Sequence, residues 1–312
     1  MFRLLWQKKA LIAFLIVLIV LLPSAASRPA QMLSKTLLSE ITIDKVDNEY
    51  TLTGKKVETK PGSQTSEKET KPLETAGPSV GAAINKMSAD SGQEVSFAHC
   101  TLIVLGEGLR DENLADLLKY FLHRTELNNN CELAWKEKGN NKTTLEKFYK
   151  DYMRKTSTSI LSQGPSEIAV FKNGKYHLSL DETQTQALDF ALGKTVKQRI
   201  LYENHVLQVI NNKADIKTKY INGTPIINLT IKTKLELESN PQATTAELAN
   251  IKYLLEQKLR QEIEQTAKHC YFNAADPLHL FEKFQPKGIS LELSDLYSRI
   301  QFNVKVDLHI IT

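Results

Sequence analysis

Apolar and polar positions alternate with period two at the end of this chain. Ile300, Phe302, Val304, Val306, Leu308 and Ile310 interleave with Gln301, Asn303, Lys305, Asp307 and His309. Successive strand side chains point to opposite faces, so the pattern predicts a strand with one wet face. Strands are likewise expected over 206–210, 216–220 and 226–237, the last two joined at Asn222-Gly223. Between 237 and 300 the period lengthens. Leu248, Ile251, Leu255, Leu259, Ile263 and Ala267 form one helical stripe, and Thr244 with Glu247 has the spacing of a capping box. Asn173-Gly174 separates the apolar runs 168–171 and 176–180, which predicts a hairpin because both turn positions need positive φ. Asp181 then caps a helix reaching Leu192.

Nearer the start, Ile41, Ile43, Tyr50, Leu52 and Val57 predict two strands around a turn at Asp47-Asn48. A helix is expected over 80–86 and a buried strand over 101–105, closed by Gly106-Glu107-Gly108. Asp111 is read as the cap of the next helix, whose apolar face is Leu114, Leu117, Leu118, Phe121 and Leu122. A strand over 131–135 and a helix over 145–153 follow. The segment 58–79 is rich in Lys, Glu, Thr, Ser, Pro and Gly, so it buries too little to offset its ordering entropy and reads as a disordered insert. The Ser, Thr and Gly content of 156–165 marks a domain boundary. The expected fold is α+β and multidomain. It has mixed and antiparallel sheets, helices packed on one face, and a long amphipathic helix in the C-terminal domain. The expected divisions are 1–27, then an N-terminal α+β domain over 34–155, a middle domain over 160–203, and a C-terminal α+β domain over 204–312.

The first 27 residues change the cellular context. Arg3, Lys8 and Lys9 precede an unbroken apolar run over 10–22, followed by Pro23-Ser24-Ala25-Ala26-Ser27. A basic flank, a short apolar core and small residues read as an export signal. Cleavage after Ala26 and retention as a signal anchor, lengthened by Leu4, Leu5 and Trp6, both stay open. No cysteine follows the run, so the chain lacks a lipoprotein acceptor thiol, the first cysteine being Cys100. The formal charge of +4 falls to +1 without Arg3, Lys8 and Lys9, which gives no electrostatic case for nucleic acid.

Candidate chemistry is sparse. His99-Cys100 and His269-Cys270, with Cys131 and His123, invite a zinc reading, but no C-x-x-C or H-x-x-x-H spacing supports it. If His99 and Cys100 lie on a strand, they also face opposite sides. No nucleophile motif surrounds any of the three cysteines. A Cys100–Cys131 bridge stays open. There is no G-x-S-x-G elbow, and Gly106-Glu107-Gly108 is too short for a phosphate loop. Asp181-Glu182 suits a helix start. The N-x-[ST] matches at Asn141, Asn222 and Asn228 read as incidental. No residue is assigned as catalytic, cofactor-binding or metal-ligating, no cofactor is expected, and the binding residues stay unassigned.

Five segments in order resemble one family, the Ger(x)C spore germination proteins, the C subunits of nutrient germinant receptors. Phe97-Ala98-His99 leading into TLIVLGEGL resembles the family's F-S-H strand and the turn after it. The helix end FLHRTEL, the hairpin IAVFKNGKYHLSLDET, the stretch KLRQEIEQTAKHCYFNAADPLHLFEKF and the alternating close are similar to family segments too. The chain departs from the family in lacking the lipobox cysteine. Asp276-Pro277-Leu278-His279-Leu280-Phe281 stands where members show D-x-x-G-F-G, without its glycines. The resemblance implies a three-domain α+β protein with no catalysis, on the extracytoplasmic face of the cell membrane, which for a germinant receptor is the spore inner membrane. It implies integral membrane partners of the A and B types, contact with the membrane surface, and at most an indirect role toward a small-molecule germinant. The rival readings are a secreted or anchored binding module and an exported envelope hydrolase.

Overall fold

The structure is a computed structural model and describes residues 35–57, 71–123, 126–128, 130–139, 142–154, 158–194, 199–202, 205–238, 244–284 and 298–311. The export segment 1–27, and 58–70 of the expected insert, lie outside these residues. The chain divides into two compact units, Met1–Thr101 with Arg124–Asn128, and Leu102–His123 with Asn129–Thr312.

In the first unit, β1 (Lys35–Val46) and β2 (Glu49–Lys56) pair antiparallel across Asp47-Asn48, which adopt φ of 50° and 66°. Leu73–Gly77, inside the stretch read as disordered, instead pairs antiparallel with β2 as β3. Its polar composition hides this, because the neighbouring strand supplies the backbone hydrogen bonds that order it. Helix α1 (Val80–Ser91) runs one turn beyond expectation, capped by Ser79 and stopped by Gly92 at φ 67°. Strand β4 (Glu94–Ser96) joins β1 in parallel. Leu38, Ile41, Ile43, Leu52, Ala83, Ile84, Met87 and Val95 are buried in this unit.

The second unit opens with β5 (Leu102–Leu105) parallel to β6 (Glu132–Trp135), with α2 (Leu114–Leu122) between them in sequence. Asn113, not Asp111, caps α2, its side chain accepting from the Ala115 N–H at 3.1 Å. The chain spends 107–109 in a 3₁₀ turn first, which moves the helix start two residues on. The two-residue β7 (Thr143–Thr144) and α3 (Leu145–Met153) precede β8 (Thr158–Ser162). That strand occupies the Ser/Thr-rich stretch read as a boundary and pairs antiparallel with β9 (Ile168–Lys172), which turns at Asn173-Gly174 into β10 (Lys175–Leu180). Asp181 and Gln184 form a full capping box on α4 (Glu182–Ala191).

The second sheet has the order β11 (Arg199–Tyr202), β12 (His205–Ile221), β13 (Thr224–Leu237), β14 (Gln301–Ile311). Here the sequence suggested two strands over 206–220, but β12 is continuous. A register shift between Val209 and Asn211 reverses which residues face inward, so the alternation breaks in mid-strand. The inner face of the sheet carries Ile227, Leu229, Ile231 and Leu235 against Ile251, Leu255, Leu259 and Ile263 of α5 (Thr245–Phe272), whose capping box forms at Thr244 and Glu247. The same core takes in Ile168, Val170 and Leu180 and ends at α6 (Leu280–Phe284). β14 returns parallel to β13, and the Leu308 N–H donates to Glu256 of α5 at 2.9 Å. The architecture is α+β with mixed sheets and one long helix.

Candidate functional site

The chemistry flagged in the sequence does not converge. Cys100, Cys131 and Cys270 are all buried. Burial pushes the Cys270 thiol up to about 12, so at neutral pH it stays protonated and is a poor nucleophile and metal ligand. Gly106 is extended, and Glu107 in the turn after it pairs with Lys136 at 2.8 Å. The hydrogen bond from Lys136, and then its charge, hold the Glu107 carboxyl below the usual carboxylate range. Among the described residues no group of three or more His, Cys, Asp and Glu could hold a metal ion, and no helix is long and apolar enough to cross a membrane.

What the sequence did not show is how the D-P-L-H-L-F segment is held. Helix α5 ends at Asn273, and Ala274 takes φ 55° so that the chain can turn back, with the Ala275 N–H donating to Cys270 O at 2.9 Å. Asp276 follows and is 2% exposed. Its carboxylate accepts from the Leu280 N–H at 2.8 Å, from the Phe281 N–H at 2.9 Å and from the Tyr271 hydroxyl. Its own N–H donates to Thr158 Oγ1 on β8 at 2.8 Å. One side chain thus caps α6, fixes the last turn of α5 and sits on a backbone tied to the first sheet of this unit. The helix N-terminus favours the negative charge.

His279 stands at the first glycine position of the D-x-x-G-F-G pattern and has φ 52°. A glycine adopts that conformation at no steric cost, whereas an L side chain crowds the backbone. His279→Gly is therefore expected to stabilise the protein by about 0.5–1 kcal/mol. A lower midpoint in urea unfolding would show that the imidazole contributes more than the strain it imposes.

The imidazole has a role to weigh against that strain. His279 lines an open groove of ≈ 590 Å³ with Arg154, Leu192, Ile216 and Glu282. Four elements supply the walls: the end of α3, the end of α4, the middle of β12, and α6 with the turn before it. Beside the groove, Asp151 of α3 is 7% exposed. Burial raises its carboxyl above the usual range, while the charges of His279, Lys147 and Arg154 oppose the rise and Glu282 adds to it. Because its folded-state value lies above the unfolded one, the native protein binds the extra proton between the two. Stability from this group is present at low pH and lost as pH rises through that window. Asp151→Asn should flatten this acid limb and raise the thermal midpoint at pH 7. An unchanged pH profile would remove the group from the account.

Across the groove Arg154 pairs with Glu282 at 3.2 Å. The arrangement offers mixed charge on a shallow surface. Among the described residues its lining holds no Cys, Ser or Thr.

Comparison with known proteins identifies the family. Residues 34–163 match the family described as spore germination protein N-terminal domain, and residues 166–312 match spore germination B3/GerAC like, C-terminal. The chain belongs to the Ger(x)C family of spore germination proteins, as the five segments implied. The crystal structure of the GerBC protein is similar to it, with a TM-score of 0.61 at 18% identity over 87% of this chain and 97% of that one. At that identity the likeness speaks for the fold. No curated protein matches the chain.

Proposed function

We propose that this protein is a non-enzymatic subunit of a spore nutrient germinant receptor. It acts at the extracytoplasmic face of the membrane, beside integral membrane subunits of the A and B types, in germination signalling or receptor assembly. The observation that carries the reading is the pair of family regions matched in order across 34–163 and 166–312. The export-type segment over 10–22 supports the location. Internal pairing of the groove's charged groups supports the lack of catalysis, because a catalytic carboxylate needs to reach substrate rather than a neighbouring arginine. Any part in germinant recognition is indirect.

The test is a pull-down of the tagged full-length protein from membranes of its native host, with the N-terminus of the recovered protein sequenced. Recovery with polytopic subunits supports the reading, and an intact Met1 end assigns the anchor to residues 10–22. A soluble protein starting at Ser27 with no membrane partner refutes it and leaves a secreted binding protein or an envelope hydrolase.

A further inference from the structure

The outer face of the second sheet carries an array of lysines. Its cross-strand register sets Lys219 beside Ile226, Lys217 beside Asn228, and Lys213 directly opposite Lys232. On the far side, Lys305 lies beside Thr230 and His309 beside Lys234. The lysines of this face are Lys213, Lys217, Lys219, Lys232, Lys234 and Lys305, every one exposed. The carboxylates among them are Asp215, Glu236 and Asp307. Asp215 pairs with Lys217, and Asp307 is approached by Lys252 of α5 at 3.8 Å. A chain whose whole formal charge is +4 has therefore collected a surplus of lysine on one sheet face. Directly opposed like charges destabilise a sheet, so the Lys213–Lys232 pair works against folding.

The β12–β13 hairpin ends this face with an apolar group. Ile221, 48% exposed, shares the side of Lys217 and Lys219 and lies on the approach to the Asn222-Gly223 turn. Lysines spaced about 7 Å along strands and about 5 Å between them form a cationic array. An aliphatic side chain at its edge suits the boundary between headgroups and acyl chains.

We infer that this face, Lys213, Lys217, Lys219, Lys232, Lys234 and Lys305 with Ile221 at its tip, docks on an anionic lipid surface. The partner is a bilayer rather than an acidic protein, because the exposed Ile221 sits at the rim of the charge, where a planar interface needs an apolar group. The inference rests on the membrane location proposed above. On a chain already held to the membrane, even weak surface affinity suffices, since the local lipid concentration is high.

The experiment uses the full chain with Ile221→Cys carrying a polarity-sensitive fluorophore. Cys100, Cys131 and Cys270 are buried, so the label goes to the tip. The protein is mixed with vesicles of phosphatidylcholine alone or with added phosphatidylglycerol. A blue shift on the anionic vesicles only, reversed by high salt, is expected. Lys213→Glu should weaken that response by about 10-fold, the loss of one favourable charge and the gain of an unfavourable one. The same substitution replaces the repulsion of Lys232 with attraction, so the thermal midpoint should hold or rise, which separates docking from folding. A label that keeps its aqueous emission on anionic vesicles overturns the inference, as does a Lys213→Glu response equal to wild type. If the protein sediments with native membranes while the label stays aqueous, this inference alone fails. If it never reaches native membranes, the receptor reading fails with it.

Discussion

Asp276→Asn is expected to cost about 2–4 kcal/mol of folding free energy. Both carboxylate oxygens are in use. One accepts from the Leu280 N–H and the Tyr271 hydroxyl, the other from the Phe281 N–H. An asparagine presents an NH₂ in place of one acceptor, so a donor meets a donor inside a site only 2% exposed. The charge that favoured the α6 N-terminus is lost as well. Urea unfolding followed by the fluorescence of Trp135, itself buried in the same unit, measures the loss. Tyr271→Phe removes one of the three donors and should cost about 1 kcal/mol. The double variant should lose less than the two single losses combined, because the partners are shared. A loss below about 1 kcal/mol for Asp276→Asn would mean that this carboxylate is a bystander.

The second large effect is expected at Asn212, 3% exposed in the middle of β12. Its amide nitrogen donates to Phe190 O at 3.1 Å and Lys194 O at 3.3 Å, and its oxygen accepts from Thr233 Oγ1 at 2.9 Å. Helices leave their last carbonyls without internal partners, and here a strand residue answers those that close α4. Gly193 makes the approach workable, since a Cβ there would lie 2.9 Å from the Ala214 nitrogen. Asn212→Ala should cost about 2 kcal/mol, because the buried Thr233 hydroxyl loses its acceptor while the Phe190 carbonyl keeps the Gly193 N–H at 3.1 Å. Asn212→Asp should be worse at neutral pH and recover on acidification, because only the protonated acid can donate to the carbonyls. Equal stability of Asn212→Ala and wild type in thermal unfolding would show that water replaces the amide.

Local chemistry made much of this fold readable. The Asn173-Gly174 and Asn222-Gly223 turns take positive φ, and the boxes at Asp181 and Thr244 form, because each is decided by a few adjacent residues. The stripe of α5 was readable for a similar reason, one face meeting one sheet. What stayed hidden depends on partners distant in sequence. β8 gives no strand pattern because Thr158, Ser159 and Ser162 are polar, yet all three are buried. Thr158 is satisfied by the Asp276 N–H and Ser162 by the Gly139 N–H, from neighbours that only the fold supplies. The shift in β12 defeated the alternation rule for want of any Gly or Pro to mark it. Asp276 and Asn212 were plain in the sequence as residue types but carried no pattern, since their donors and acceptors lie on other elements. The groove was equally invisible, as Arg154, Ile216 and Glu282 share no spacing.

The parallel pairing of β14 with β13 has a kinetic consequence. Gln301 meets Ile226, a separation of 75 residues (301 less 226), with α5 and α6 in between. Closing so long a loop is slow, and its entropy must be met before the contacts Phe302, Val304 and Leu308 can repay it. For a chain that emerges from a channel N-terminus first, β13 spends that interval with one edge open. Its alternating residues then form a template for pairing with another copy. Crowding of newly made chains would favour aggregation at this stage, and a chaperone that shields the edge until β14 arrives would raise the yield of folded protein without altering its final stability.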